Sequence, residues 1–410
     1  MRLQSANNKI VCYLRYFAVY LLLLASNGFY IYAQGFRVPL MLCAAGLYFV
    51  LSQWKLDLKL LIMVMILVAI VSVSGLTNDE TIRNIVVPLM DFVGAALVAF
   101  GALGGKKGEF LNIYRRVVLA LAVGSVIVFI LGDVANSLFR VFPMFTQGRH
   151  DAYFAVISFV YRKRQYLQYR NLGICWEPGA FQTYLILAMI LEERINCSHK
   201  LRNLILLSIT IITTASTTGI ICMMLFWLLY AVKSPKQNKG MIILLAIMTI
   251  VLLILVNPEI LPQELYFGVI QKISDVLSGN RDLQTVQTRM DSIVYPLQAF
   301  LENPLFGVGK VGMRRWQSIT GHGMNTCTPI NWFTHYGVFM GVILLFGFWR
   351  FFAKINRRQW VGLFMLGIFL VAIATEAFNY NPSLLCLAMM GLSGKTDLLP
   401  EEEEYENTPD

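Results

Sequence analysis

Residues 58–76 read LKLLIMVMILVAIVSVSGL, nineteen residues with a single charge, Lys59, at one edge. A helix rises ~1.5 Å per residue, so a run of this length covers the ~30 Å hydrocarbon core of a bilayer. Moving outward in both directions, similar apolar runs recur near 10–32, 36–53, 84–104, 113–133, 178–195, 202–215, 217–232, 240–257, 329–353, 359–377 and 380–393. Across the 410 residues, 57% are hydrophobic, only 14% are charged and the mean hydropathy is +0.61. These values exclude a water-soluble globular domain. They predict an all-α polytopic membrane protein of about 12 transmembrane helices, with residues 1–393 as a single transmembrane domain. The first run is too long, and too closely followed by a second, to read as a cleaved signal peptide, and it is expected to remain as an anchor. Four of the seven cysteines (Cys12, Cys43, Cys222 and Cys386) fall inside apolar runs, which argues against a disulfide framework.

The net charge of +10 reads first as topology rather than as affinity for nucleic acid. Lys55 and Lys59, Lys106 to Arg116, Arg194 to Arg202, Lys233 to Lys239 and Arg350 to Arg358 mark alternate short loops as cytoplasmic. Both termini then fall on the same side, including an acidic tail at 394–410 with no apolar face to bury, expected to be disordered. Two long loops, about 133–177 and 258–328, belong to the opposite face. They are also basic, and long loops are translocated largely regardless of charge. Cations kept there point to an anionic ligand.

In the first loop, YRNLGICWEPGAF (169–181) places Arg170 shortly before Glu177-Pro178-Gly179 at the mouth of a helix. Proline near the first helical position and a preceding acid both suit a helix start, so Glu177 and Pro178 have an adequate structural reading. Arg170 does not, because a cation just outside a helix N-terminus has no dipole partner; beside exposed amide groups it would suit a phosphate. In the second loop, GNRDLQTVQTRMDSIVYPLQAFLENP (279–304) predicts an amphipathic helix ended by Asn-Pro. Arg281 and Arg289 lie eight residues apart, about 80° around its axis, so both can face one cavity. Lys310, Arg314 and Arg315 read as a solvated basic face. GHGMNTC (321–327) holds His322 in a polar, Gly-flanked turn, and His335 lies in the following helix. TTASTTG (213–219) is a polar break between two barely sufficient runs, expected to floor a cavity. There is no P-loop, no dinucleotide fingerprint, no Cys-x-x-Cys and no His-Glu-x-x-His. Few acids lie within the apolar runs, which counts against a proton-coupled transporter.

The chain resembles the O-antigen and capsular polysaccharide polymerases (Wzy), within the superfamily that includes the O-antigen ligases. The resemblance rests on two large outer loops after the fifth and ninth spans and on the ordered motifs RNLGICWEPG (170–179), TASTTG (214–219), RMDS (289–292) with NPLFGVG (303–309), and HGMNT (322–326) before a helix with YGVFMG. It implies a GT-C-like, inverting, metal-independent glycosyltransferase without cofactor in the bacterial inner membrane, its active site facing the periplasm. The enzyme would join oligosaccharide repeat units carried on undecaprenyl pyrophosphate, which serve as donor and acceptor among the membrane lipids, with a chain-length regulator and a flippase as candidate partners and no nucleic acid. Arg170, Arg289 and Arg281, with Asn325, would then hold the pyrophosphate and substrate, since a leaving pyrophosphate without metal needs fixed cations. The base for the acceptor hydroxyl is Glu177 or His322. An O-antigen ligase is the alternative, and a lipid-linked sugar flippase a more distant one.

Overall fold

The computed structural model describes residues 2–28, 35–134, 139, 141–147, 151–163, 170–195, 199–233, 283–321, 326–356 and 358–400. Among them are helices α1 (Arg2–Asn27), α2 (Arg37–Leu51), α3 (Leu58–Thr77), α4 (Ile82–Gly104), α5 (Glu109–Val134), α6 (Pro178–Arg194), α7 (Lys200–Thr213), α8 (Thr217–Lys233), α9 (Leu283–Glu302), α10 (Gly309–Thr320), α11 (Thr328–Ile355), α12 (Gln359–Ile373) and α13 (Pro382–Leu392). Lys9–Asn27, α3, α4, Glu109–Gly132 and α11 are long and apolar enough to cross a membrane. The chain is therefore a helical membrane protein, but the other apolar helices are shorter than the twelve full spans expected. At 11 to 17 residues, α2, α6, α7, α8, α12 and α13 would cover only about 16 to 26 Å as helix. The expected span at 240–257 lies outside the described residues.

Each helix sorts its residues by period. On α3, Leu60, Val64, Leu67, Val71 and Ser74 form the buried row, while Leu58, Ile62, Met65 and Leu76 point outward. An outward apolar row of this kind suits lipid. α6 is buried from Pro178 to Glu192 and α13 along its whole length, so these two form the centre of the bundle. α13 lies close against α11, where a Cβ on Gly391 would overlap the Gly347 carbonyl oxygen. Small residues permit such approaches between membrane helices.

The helix ends collect at two poles. At the first, Arg15 donates to the Leu51 carbonyl (Nε, 3.0 Å), Arg194 to that of Ile355 (2.7 Å), and Lys354 to those of Gly391 (2.6 Å) and Ser393 (2.9 Å). Arg115 pairs with Glu192, and Lys233 with Glu193. Arg115, Arg194, Lys233 and Lys354 belong to loops assigned to one side by the charge pattern, and Arg15 lies on the helix leading from the N-terminus expected on that side. Several also satisfy the carbonyls that helix C-termini leave open. This pole also corrects the expectation of a disordered tail from residue 394. Leu398 and Leu399 are buried, the Gly394 amide donates to Asp57 Oδ2 (2.8 Å), and Lys395 reaches the Leu103 carbonyl. Two leucines and a lysine dock the segment; 401–410 lies outside the described residues.

The second pole gathers the ends of α1, α3, α7 and α12 and the starts of α2, α4, α6, α8, α11 and α13. Here the helical bundle also carries a small sheet. The first long loop carries an antiparallel sheet of β1 (Met144–Gln147), β2 (Asp151–Val156) and β3 (Phe159–Lys163), with Phe154 opposite both Met144 and Tyr161. Ile157-Ser158 forms the two-residue turn, with Ile157 at φ 60°. β-branched and aromatic residues drive the pairing, and the Val160 amide joins the sheet to the Gly173 carbonyl (2.8 Å).

Candidate functional site

Pro178 sits in the first turn of α6 as the Glu-Pro-Gly sequence predicts, and Glu177 is its N-cap residue. The Glu177 side chain is exposed and makes no capping hydrogen bond. The carboxylate lying against the first turn is instead that of Glu376, from the α12–α13 connection. A Cβ on Gly179 would overlap it, so any larger residue there would displace the carboxylate. A negative charge at this end of a helix is electrostatically favourable. Burial, with a smaller contribution from the Glu376 charge, pushes the neighbouring Cys175 thiol well above its ordinary value.

The same connection ties α11 to α6. The Thr328 hydroxyl donates to the Glu376 carbonyl and accepts from the Phe378 amide (2.7 Å). Phe378 packs against Trp176 (ring centroids 5.9 Å apart) and edge-on to Tyr184 (6.2 Å). Below, Asn381 caps α13 and donates to the Tyr184 hydroxyl (2.8 Å), locking the central helices together. Thr328 therefore holds the start of α11 beside the helix that Glu177 opens. His322 and Asn325 themselves lie outside the described residues, six and three positions before Thr328.

Arg170 has a partner that its sequence position did not suggest. Its Nε donates to the Thr214 carbonyl and its Nη2 to that of Ala215, both at 2.9 Å. These carbonyls belong to the turn after α7, where Ala215 takes a left-handed φ of 46° and the helix leaves acceptors open. The expectation that this cation lacks a dipole partner is corrected: it faces a helix C-terminus. The Asn171 amide adds a bond to the Thr213 carbonyl (3.0 Å). The polar break TTASTTG is thus closed by the first long loop. Arg170 also lines a small cleft with Ser125, Val128, Phe159 and Asn171. Beyond the break, Gln182 is fully buried against Gly219 with both amide atoms unpaired among the described residues.

The second loop returns to this pole through residues 303–311. The α11 helix is interrupted at Gly337 (φ 83°, ψ −177°), and the returning chain fills the break: the Val308 amide donates to the Thr334 carbonyl (2.7 Å) and the Val338 amide to that of Pro304 (2.8 Å). Ser74 donates to Phe306 and His335 carbonyls (2.6 and 2.9 Å), and Glu80 accepts from the Val311 amide (2.7 Å), capping α10. Arg314 and Arg315 are exposed as expected. Lys310 is not: it sits half-buried over the Tyr380 ring at 4.3 Å. Burial lowers its pKa, against the opposing pull of Asp91 and Glu80. Tyr380 in turn bonds His335 Nδ1 (2.7 Å), and Asp91 pairs with Arg37 (2.7 Å).

The chain matches no protein-family profile, no curated protein and no solved structure. The reading of the site therefore rests on its geometry. Arg289 lies within α9, which ends before Asn303-Pro304 as predicted, and its backbone position shares a helical row with Ser292, Pro296 and Ala299. Arg281 lies outside the described residues. Glu376, Gln182 and Lys310 were not picked out as site residues by sequence. Glu376 was legible only as an acid in the polar TEAFNYN connection between two apolar runs.

Proposed function

We propose that the protein is a membrane glycosyltransferase that polymerises oligosaccharide repeat units carried on a polyprenyl pyrophosphate, working at the second pole. The observation that carries the reading is the link from Thr328 through Glu376 to Gly179. It holds the start of α11 beside the helix opened by Glu177, at the pole where the Arg170 segment is also anchored. A diphosphate leaving group needs fixed cations, and guanidinium groups meet its developing charge in bidentate fashion. In this reading Arg289 and Arg170 contact the donor, and Glu177 or His322 takes the proton from the acceptor hydroxyl. The second pole then faces the periplasm, and the cation-rich first pole the cytoplasm.

Deleting the gene and analysing surface glycan tests the reaction class. A single capped repeat unit supports a polymerase; long polymer retained on the polyprenyl carrier would show that the missing step is ligation, and unchanged glycan would refute both.

A further inference from the structure

α9 is turned inside out. Its buried row is polar or small, with Asp291, Ser292, Pro296 and Ala299 directed toward the protein. Its outward row is apolar, with Met290, Ile293, Val294, Leu297 and Leu301 exposed at 38 to 67%. Leu305 continues the row beyond the helix. A water-soluble surface rarely carries so continuous an apolar patch, and water would drive it inward. The arrangement is the natural one for a helix with lipid outside and a polar interior.

The packing sets α9 beside α11. Thr334 donates to the Pro296 carbonyl (2.9 Å), and Phe300 meets Phe333 edge-on at 5.7 Å, so α9 lies along α11. Thr334 stands six residues into α11, about 9 Å from its start at 1.5 Å per residue. Farther along, Phe339, Val342, Phe346 and Trp349 form the outward apolar row of this helix, which is long and apolar enough to cross a membrane. At the other end, Trp316 of α10 donates to Glu302 (2.7 Å), with Arg314 and Arg315 exposed nearby. An indole with its N–H paired and two exposed guanidinium groups is the composition of a headgroup boundary.

We propose that α9 is embedded in the bilayer leaflet at the second pole, its apolar row against lipid acyl chains. The second long loop is then partly a membrane segment, and the row of Ser292, Pro296 and Ala299 faces the protein from within the leaflet. The inference does not depend on the glycosyltransferase reading.

The test is a spin-label scan in vesicles of phosphatidylethanolamine and phosphatidylglycerol. Cys12, Cys43 and Cys197 are replaced, while Cys175, Cys222, Cys327 and Cys386, which are buried, are retained. Labels are placed singly through Ile293→Cys, Leu297→Cys, Val342→Cys and Arg315→Cys. The expected result is high accessibility to oxygen and low accessibility to a water-soluble nickel chelate at 293 and 297, matching 342, with the reverse at 315. Nickel access at 293 and 297 equal to that at 315 would overturn the proposal. So would exclusion of both agents, which would show the row covered by protein, either residues 234–282 or a second copy. Should a variant fail to fold, photolabelling of the unaltered protein with an acyl-chain diazirine lipid gives an independent reading: label within 290–305 supports the proposal and its absence there, with label in α11, contradicts it.

Discussion

Replacing Gly337 with alanine probes the joint between the second loop and the bundle. Gly337 has φ 83° and ψ −177°, a region essentially closed to other residues, at a cost of about 1–3 kcal/mol. A Cβ would also overlap the Leu305 carbonyl oxygen, and one on Gly307 (φ 71°) would come within 2.5 Å of that of Thr334. The returning segment must therefore withdraw, breaking the Val338–Pro304 and Val308–Thr334 backbone bonds. Each buried group left unpaired costs about 1–3 kcal/mol. Because the withdrawn side can rehydrate, the lower part of the combined range applies, roughly 3–5 kcal/mol. At about 2 °C per kcal/mol for a long chain, the melting temperature should fall by about 6–10 °C. Tryptophan fluorescence on heating the purified protein in detergent measures this, with Gly367→Ala as control. The control position has open space around its Cβ, and alanine there should be neutral or stabilising by up to about 1 kcal/mol. A Gly337→Ala protein melting within a degree of the parent would refute the account of the joint.

Glu177→Gln should leave the melting temperature unchanged, because the side chain makes no capping bond, and should slow polymerisation roughly 100-fold if Glu177 is the base; full activity would leave His322 as the remaining candidate. Arg37→Met should destabilise by about 3–5 kcal/mol by stranding the fully buried Asp91 carboxylate, and adding Asp91→Leu should recover most of the loss. If the single and double variants melt alike, the pair is not what matters. Lys310 has its pKa lowered from 10.5 in the folded state, so the unfolded chain holds the extra proton in the window below 10.5. Stability should therefore rise with pH across that window relative to Lys310→Met; parallel pH curves for the two proteins would contradict the burial of its charge.

What could be read in advance was whatever local chemistry controls. Pro178 opens α6, Asn303-Pro304 closes α9, and the alternation of basic loops separated the two poles, because these signals act within a few residues. Partners distant in sequence were not legible. Arg170 meets carbonyls 44 and 45 positions away, and only the folded bundle shows that the turn after α7 leaves them open. Lys310 was grouped with Arg314 and Arg315 by composition, yet one helical turn separates a side chain half-buried over Tyr380 from two exposed ones. The sheet at 144–163 was hidden by basic residues at its end, which read as loop. α9 was read as amphipathic, but periodicity alone does not say which face is inward when the solvent is lipid.

Purified protein reconstituted with polyprenyl-pyrophosphate-linked repeat units tests the central claim directly. The account predicts polymer longer than one repeat from the parent protein, and none from folded Arg289→Ala, with Arg289→Lys restoring little because a point charge does not grip two phosphate oxygens at once. Lipid-linked units left intact by well-folded parent protein, or normal polymer from Arg289→Ala, would contradict it.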